Sequence, residues 1–182
     1  MATGTVVVLR CPELSVVEAK VTRGKLNFPY IPGLLSFRKL PLILATCQKL
    51  TIAPDLILVD GQGLTHPRRL GLASHLGLLL NTPTINYAKS LLCGNHETPS
   101  IEPGSSTEVA DRGEILGAAL RTKRRVKPIY VSIDHKVNLN TAVYRVMNCC
   151  HGYRLPEPIR LAHLSAGTNL DPERTTMVPK AS

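Results

Sequence analysis

The chain has 182 residues, 43% of them hydrophobic, and a formal net charge of +9. That length carries one domain with a proper core, and that apolar fraction excludes an intrinsically disordered chain. No apolar stretch reaches the ~18–20 residues of a membrane helix, and the N-terminus shows no basic segment leading into an apolar one, so neither a membrane anchor nor a secretory leader is expected.

The first predicted elements are strands. Residues 5–10 (TVVVLR) are a β-branched run, and residues 14–21 carry Val16, Val17, Ala19 and Val21 as a second. Residues 25–28 are a candidate third strand, leading into PYIPG. Pro41 suits the first turn of a helix over 42–50. Residues 55–59 (DLILV) read as a buried strand closed by Asp60-Gly61-Gln62-Gly63. Residues 68–80 read as a helix with Leu72, Leu76 and Leu80 on one face. A short strand over 83–85 follows, and 95–113 is a polar surface loop with Pro99, Pro103 and Gly104. Residues 113–121 and 127–134 form a hairpin over a basic turn. Residues 138–150 form a helix capped by Asn138 or Asn140, and a short helix lies within 152–165. Residues 1–165 are expected as one domain and 166–182 as a disordered tail. Strands alternating with helices after an initial strand run give an α/β fold with a mixed sheet.

The charge is uneven. Residues 20–94 hold nine Lys or Arg and two acids, Asp55 and Asp60. Such a balance points to a polyanionic partner, nucleic acid first; a basic surface without a specific partner is the alternative. The five cysteines are odd in number and form no CxxC pair, which suits reduced thiols in the cytoplasm.

Several residues fit chemistry. Asp60 ends an apolar strand and is followed by glycines, which lets a ligand approach the backbone; a carboxylate there is a natural Mg²⁺ ligand, or a plain turn former. Arg68 and Arg69 oppose a helix dipole and suit a phosphate contact. Lys89 follows a short strand, where an ammonium can offset charge on a reacting phosphate; a solvated lysine is the alternative. His135 ends another strand, placed for proton transfer or for a metal-bound water. Tyr30, framed by Pro29 and Pro32, is a stiffened aromatic of the kind that stacks on bases, or an anchor of its loop. His75, His96, His151 and His163 have no supporting context.

Taken in order, "PYIPGLLSFR" (29–38), "PDLILVDGQGLTHPRRLGLASHLGLLL" (54–80), "VSIDHK" (131–136) and "GYRLPEPIRLAH" (152–163) resemble the endonuclease V family. The resemblance implies a ribonuclease H-like mixed sheet flanked by helices. It also implies a Mg²⁺-dependent nuclease (Mn²⁺ as alternative) that cuts the second phosphodiester bond 3′ to inosine in single- or double-stranded DNA or RNA. Carried over by residue, Asp60 is a metal-binding carboxylate, and Lys89 and His135 are the active-site lysine and histidine. Tyr30 belongs to a wedge that fills the place of a displaced base; Gly33, Gly61 and Leu92 line the base pocket, and His66 and Arg68 are further substrate-binding candidates. A monomer without membrane contact is implied.

The departures are equally specific. The family's strand with a G-x-D aspartate, which lies in mid-sheet, has no counterpart before residue 5, so its neighbours are expected to keep open edges. Lys39 stands where the family has glutamate, Asn86 where it has a pocket glycine, and Asp134 where it has a glycine. An ammonium in place of a carboxylate near a divalent ion turns attraction into repulsion. Little or no cleavage is therefore expected, unless Asp134 supplies an acid; a relative that binds nucleic acid without cutting is the alternative reading.

Overall fold

The computed structural model describes residues 1–167. The expected tail lies almost wholly outside them. The chain opens with an antiparallel hairpin, β1 (Ala2–Arg10) and β2 (Ser15–Gly24), paired from Ala2 opposite Gly24 to Arg10 opposite Ser15. β2 runs on to Gly24, and residues 25–28 form no strand of their own. Helix α1 (Leu35–Cys47) follows, then β3 (Ile57–Asp60), α2 (Leu72–Leu80), β4 (Thr84–Ala88), β5 (Ser106–Asp111), β6 (Glu114–Leu120), β7 (Ile129–His135), α3 (Leu139–Asn148) and α4 (Glu157–Gly167).

The second sheet has five strands in the order β3-β4-β7-β6-β5. β3 and β4 are parallel and every other neighbouring pair is antiparallel. This is the expected α/β class with a mixed sheet. The hairpin is not hydrogen-bonded to it, so among the described residues β1 and β3 each keep one unpaired edge. Helices bridge the two sheets. On one face Leu40 of α1 buries against Val59, Leu72, Ala73 and Leu76, while α1 also covers β1 and β2. On the other face α4 packs on both β1 and β3. There Ile85, Tyr87, Leu120, Ile129 and Val131 of the sheet meet Ala142, Val146 and Ile159 of α3 and α4. All five residues of β4 are buried, as a strand covered on both faces must be.

Three elements differ from the expectation, each for a local reason. α1 starts at Leu35, so Pro41 lies inside it. An interior proline forfeits a helix hydrogen bond; burial of Ser36, Leu40 and Thr46 along the same helix outweighs that loss. α2 starts at Leu72 because Arg69 adopts φ 55° and breaks the run. The polar segment 95–113 contains edge strand β5, whose one fully apolar anchor is Val109. It joins β6 through Arg112 and Gly113, both at positive φ (53° and 82°), the conformation that a two-residue hairpin turn requires.

Candidate active site

Asp60 stands at the carboxyl end of β3, opposite Tyr87 of β4, and the Gly61 amide donates to the Tyr87 carbonyl at 3.1 Å. Lys89 lies just past the end of β4 and is exposed. The two residues therefore leave the same end of two parallel strands. Gln62 strengthens that link, its Nε2 reaching the Ser90 carbonyl at 3.4 Å.

The partner of Asp60 is His163. Nε2 of His163 lies 2.5 Å from Oδ2 of Asp60, and both side chains are 41% exposed. Ile159 anchors α4 in the core, and His163, one turn later on the same face, meets the end of β3. Sequence reasoning gave His163 no role. The available signal was its position as the last residue of the quoted motif GYRLPEPIRLAH.

The 61–71 loop builds the floor beside this pair. His66 is buried; its Nδ1 accepts from the Arg68 amide at 3.1 Å, and burial, then the Arg68 charge, pushes its pKa down. Arg68 donates to the Gly33 carbonyl at 2.9 Å, which ties the loop to the PYIPG segment. Gly33 has φ 78°, which favours glycine, and a Cβ there would lie 2.7 Å from the Arg68 guanidinium, which would have to shift. Tyr30, 68% exposed, projects nearby with the Arg38 guanidinium 6.0 Å from its ring centre. Leu92 is half exposed on the loop after β4. Arg69 turns away to Asp111 at 2.7 Å and Glu114 at 2.8 Å. Arg154 of the last motif holds the carbonyls of Lys89, Lys127 and Pro128 at 3.0, 2.9 and 2.9 Å.

His135 is not brought to this group. It lies opposite Thr84, at the amino end of β4, whereas Asp60 lies opposite Tyr87. Three residues along a strand are ~10 Å, and β4 itself separates β3 from β7. Strand ends gather at one edge only when strands are parallel, and β7 is antiparallel to β4. Asp134 supplies no acid to Asp60 either. It is half-buried on the α2 face, and loss of solvation there pushes its carboxyl up to about 7. Asn86 is fully buried on that face, and neither polar atom of its side chain has a hydrogen-bond partner among the described residues.

Asp60 and His163 together offer one carboxylate and one imidazole. Among the described residues no group of three or more His, Cys, Asp or Glu converges. A hard divalent cation takes about six ligands, chiefly oxygen. The donors in this chain do not fit such an ion by themselves.

The family model of endonuclease V matches residues 1–164. The endonuclease V of Dehalococcoides mccartyi strain BAV1 is 51% identical over 166 residues, which are 91% of this chain and 74% of that protein. The crystal structure of Bacillus subtilis endonuclease V superposes with a TM-score of 0.87 at 37% identity, covering 91% of this chain and 71% of that one. A Ciona intestinalis endonuclease V, in complex with DNA containing an inosine followed by a ribo-adenosine, gives 0.75 at 31% identity, covering 91% and 83%. By sequence match and by fold, the chain belongs to the endonuclease V family of nucleases.

Proposed function

We propose that this chain receives inosine-containing single- or double-stranded DNA or RNA at the end of β3 and β4, and that it cuts such strands weakly by itself. The carrying observation is the Asp60–His163 pair at 2.5 Å beside the 61–71 loop. It places an acid and a base at the edge of the sheet, next to glycines and an exposed lysine. Tyr30 fills the place of a displaced base, Gly33, Gly61 and Leu92 line its pocket, and Lys89 meets a phosphate oxygen. His66 and Arg68 shape the loop, since both side chains have partners within the protein. His163 takes the place assigned from sequence to His135. The family chemistry calls for a divalent cation, Mg²⁺ or Mn²⁺, and the weak cutting follows from the poor fit of the donor set to such an ion. The domain is residues 1–165, acting as a monomer. The described residues include no helix long and apolar enough to cross a membrane, and all five cysteines are free, which suits the reducing cytoplasm.

The test is incubation of the whole chain with inosine-containing and matched adenosine oligonucleotides, as DNA and as RNA, with Mg²⁺ or Mn²⁺. The expected outcome is selective retention of the inosine strands with slow nicking. Fast site-specific nicking would overturn the second half of the proposal, and equal retention of both strands the first. Lys39→Glu puts an acid where the family carries one. It is expected to raise divalent-cation affinity and nicking tenfold or more, because each ~1.4 kcal/mol of recovered attraction is a factor of about ten.

A further inference from the structure

β7 bulges where it runs beside β4. Ile133 lies opposite Ile85 and His135 opposite Thr84, so Asp134 is the extra residue. A bulge re-aims a side chain, and this one turns Asp134 beneath the loop that follows Asp60. Its Oδ1 accepts from the Leu64 amide at 3.2 Å and from the Ser74 hydroxyl at 2.9 Å. Its Oδ2 accepts from the Asn86 amide at 2.6 Å and from the Ser132 hydroxyl at 3.3 Å. One carboxyl group thus joins the 61–71 loop, α2, β4 and β7. The fit is close, since a Cβ on Gly63 would lie 1.7 Å from Oδ1.

The donors define what group belongs there. The two backbone N–H groups cannot turn, whereas the two hydroxyls can. A carboxylate accepts from all four. A protonated carboxyl also fits, by donating its O–H to one serine oxygen. An amide does not fit, because its NH₂ faces a backbone N–H in either orientation. We propose that Asp134 is a positioning residue that latches the 61–71 loop to the sheet and so sets the surface that receives an inosine-bearing strand. The second clause of that proposal rests on the function proposed above.

Burial raises this carboxyl to about 7 against the pull of its hydrogen bonds. The groups facing it are neutral. Most titratable and charged side chains on the same elements are engaged elsewhere: His75 with Phe37, His66 and Arg68 in the loop, Arg69 with Asp111 and Glu114, and Lys136 with Asn81; His135, next in sequence, lies beside Gly77 with its Nε2 buried and without a hydrogen-bond partner among the described residues. The folded value lies above the unfolded one, so the latch is tightest in acid and weakens as pH rises towards about 7.

Residue-resolved amide hydrogen exchange on the whole chain, corrected for the intrinsic pH dependence, tests the latch without nucleic acid. Leu64 protection is expected to fall up to tenfold per pH unit as pH rises to about 7 and then to level off. Asp134→Asn is expected to expose Leu64 or Asn86 about tenfold more and to weaken binding of an inosine-containing single strand about fivefold or more, at unchanged global unfolding. Ser74→Ala, which keeps the carboxyl, is expected to shift both readouts by about twofold in the same direction. Unchanged exchange at both amides in both variants would overturn the proposal. So would a binding loss that only tracks the unfolded fraction. If the unaltered chain fails to bind the inosine strand, the functional reading falls, and exchange alone decides the latch.

Discussion

Tyr87 illustrates how closely the interior touches the site. Its ring is fully buried against α3 and α4, its backbone sits opposite Asp60, and its hydroxyl has no hydrogen-bond partner among the described residues. Burial, reinforced by the Asp60 charge, pushes the phenol up to about 12, so it stays neutral. An unpaired buried hydroxyl costs stability. Tyr87→Phe is therefore expected to leave the melting temperature unchanged or to raise it, by the equivalent of about 1 kcal/mol. A clear fall on thermal unfolding would show that the hydroxyl has a partner. Asp60 was legible in the sequence because an apolar strand ending in an acid and a glycine is a local pattern. His163 was not, because its partner is 103 residues away, and its one mark was its place at the end of GYRLPEPIRLAH. The fold alone brings the two together.

At the scale of elements, the boundaries that sequence misplaced are those that packing decides. α1 carries Pro41 because its apolar face must reach Val59 and Leu76, and reading Pro41 as a first-turn residue hid how far the helix runs back towards Leu35. Pro41→Ala restores a backbone donor inside the helix. It is expected to stabilise the chain by about 1–3 kcal/mol, read as a shift in the denaturant midpoint at constant slope. α2 shows the opposite case. A Cβ on Gly71 would lie 1.9 Å from the Gln62 carbonyl oxygen, so the loop and the helix start share that space. Gly71→Ala is expected to cost about 2–3 kcal/mol and to disturb the loop that holds His66 and Arg68; chemical denaturation beside an oligonucleotide-binding assay measures both. β5 escaped notice because its exposed edge carries Thr107 and Glu108, and one buried valine makes no period.

At the scale of the molecule, class and order of elements were legible, and so was the central block from β3 to α2. Open strand edges were anticipated only through family likeness, and the separation into two sheets was not. Hydrophobic patterning marks which residues are buried, and it does not say which edges pair. The charge was legible in full, and it sets the behaviour expected with polyanions: affinity falls as salt rises, with a slope that counts displaced counterions. Inosine selectivity, by contrast, comes from the pocket and must survive salt. The most direct measurement is an equilibrium titration of the chain against two single strands that differ only in inosine or adenosine at one position, across a salt series without divalent cation. The account predicts parallel salt slopes with a constant preference for inosine, lost in Tyr30→Ala. Coincident curves for the two strands at every salt concentration would contradict it.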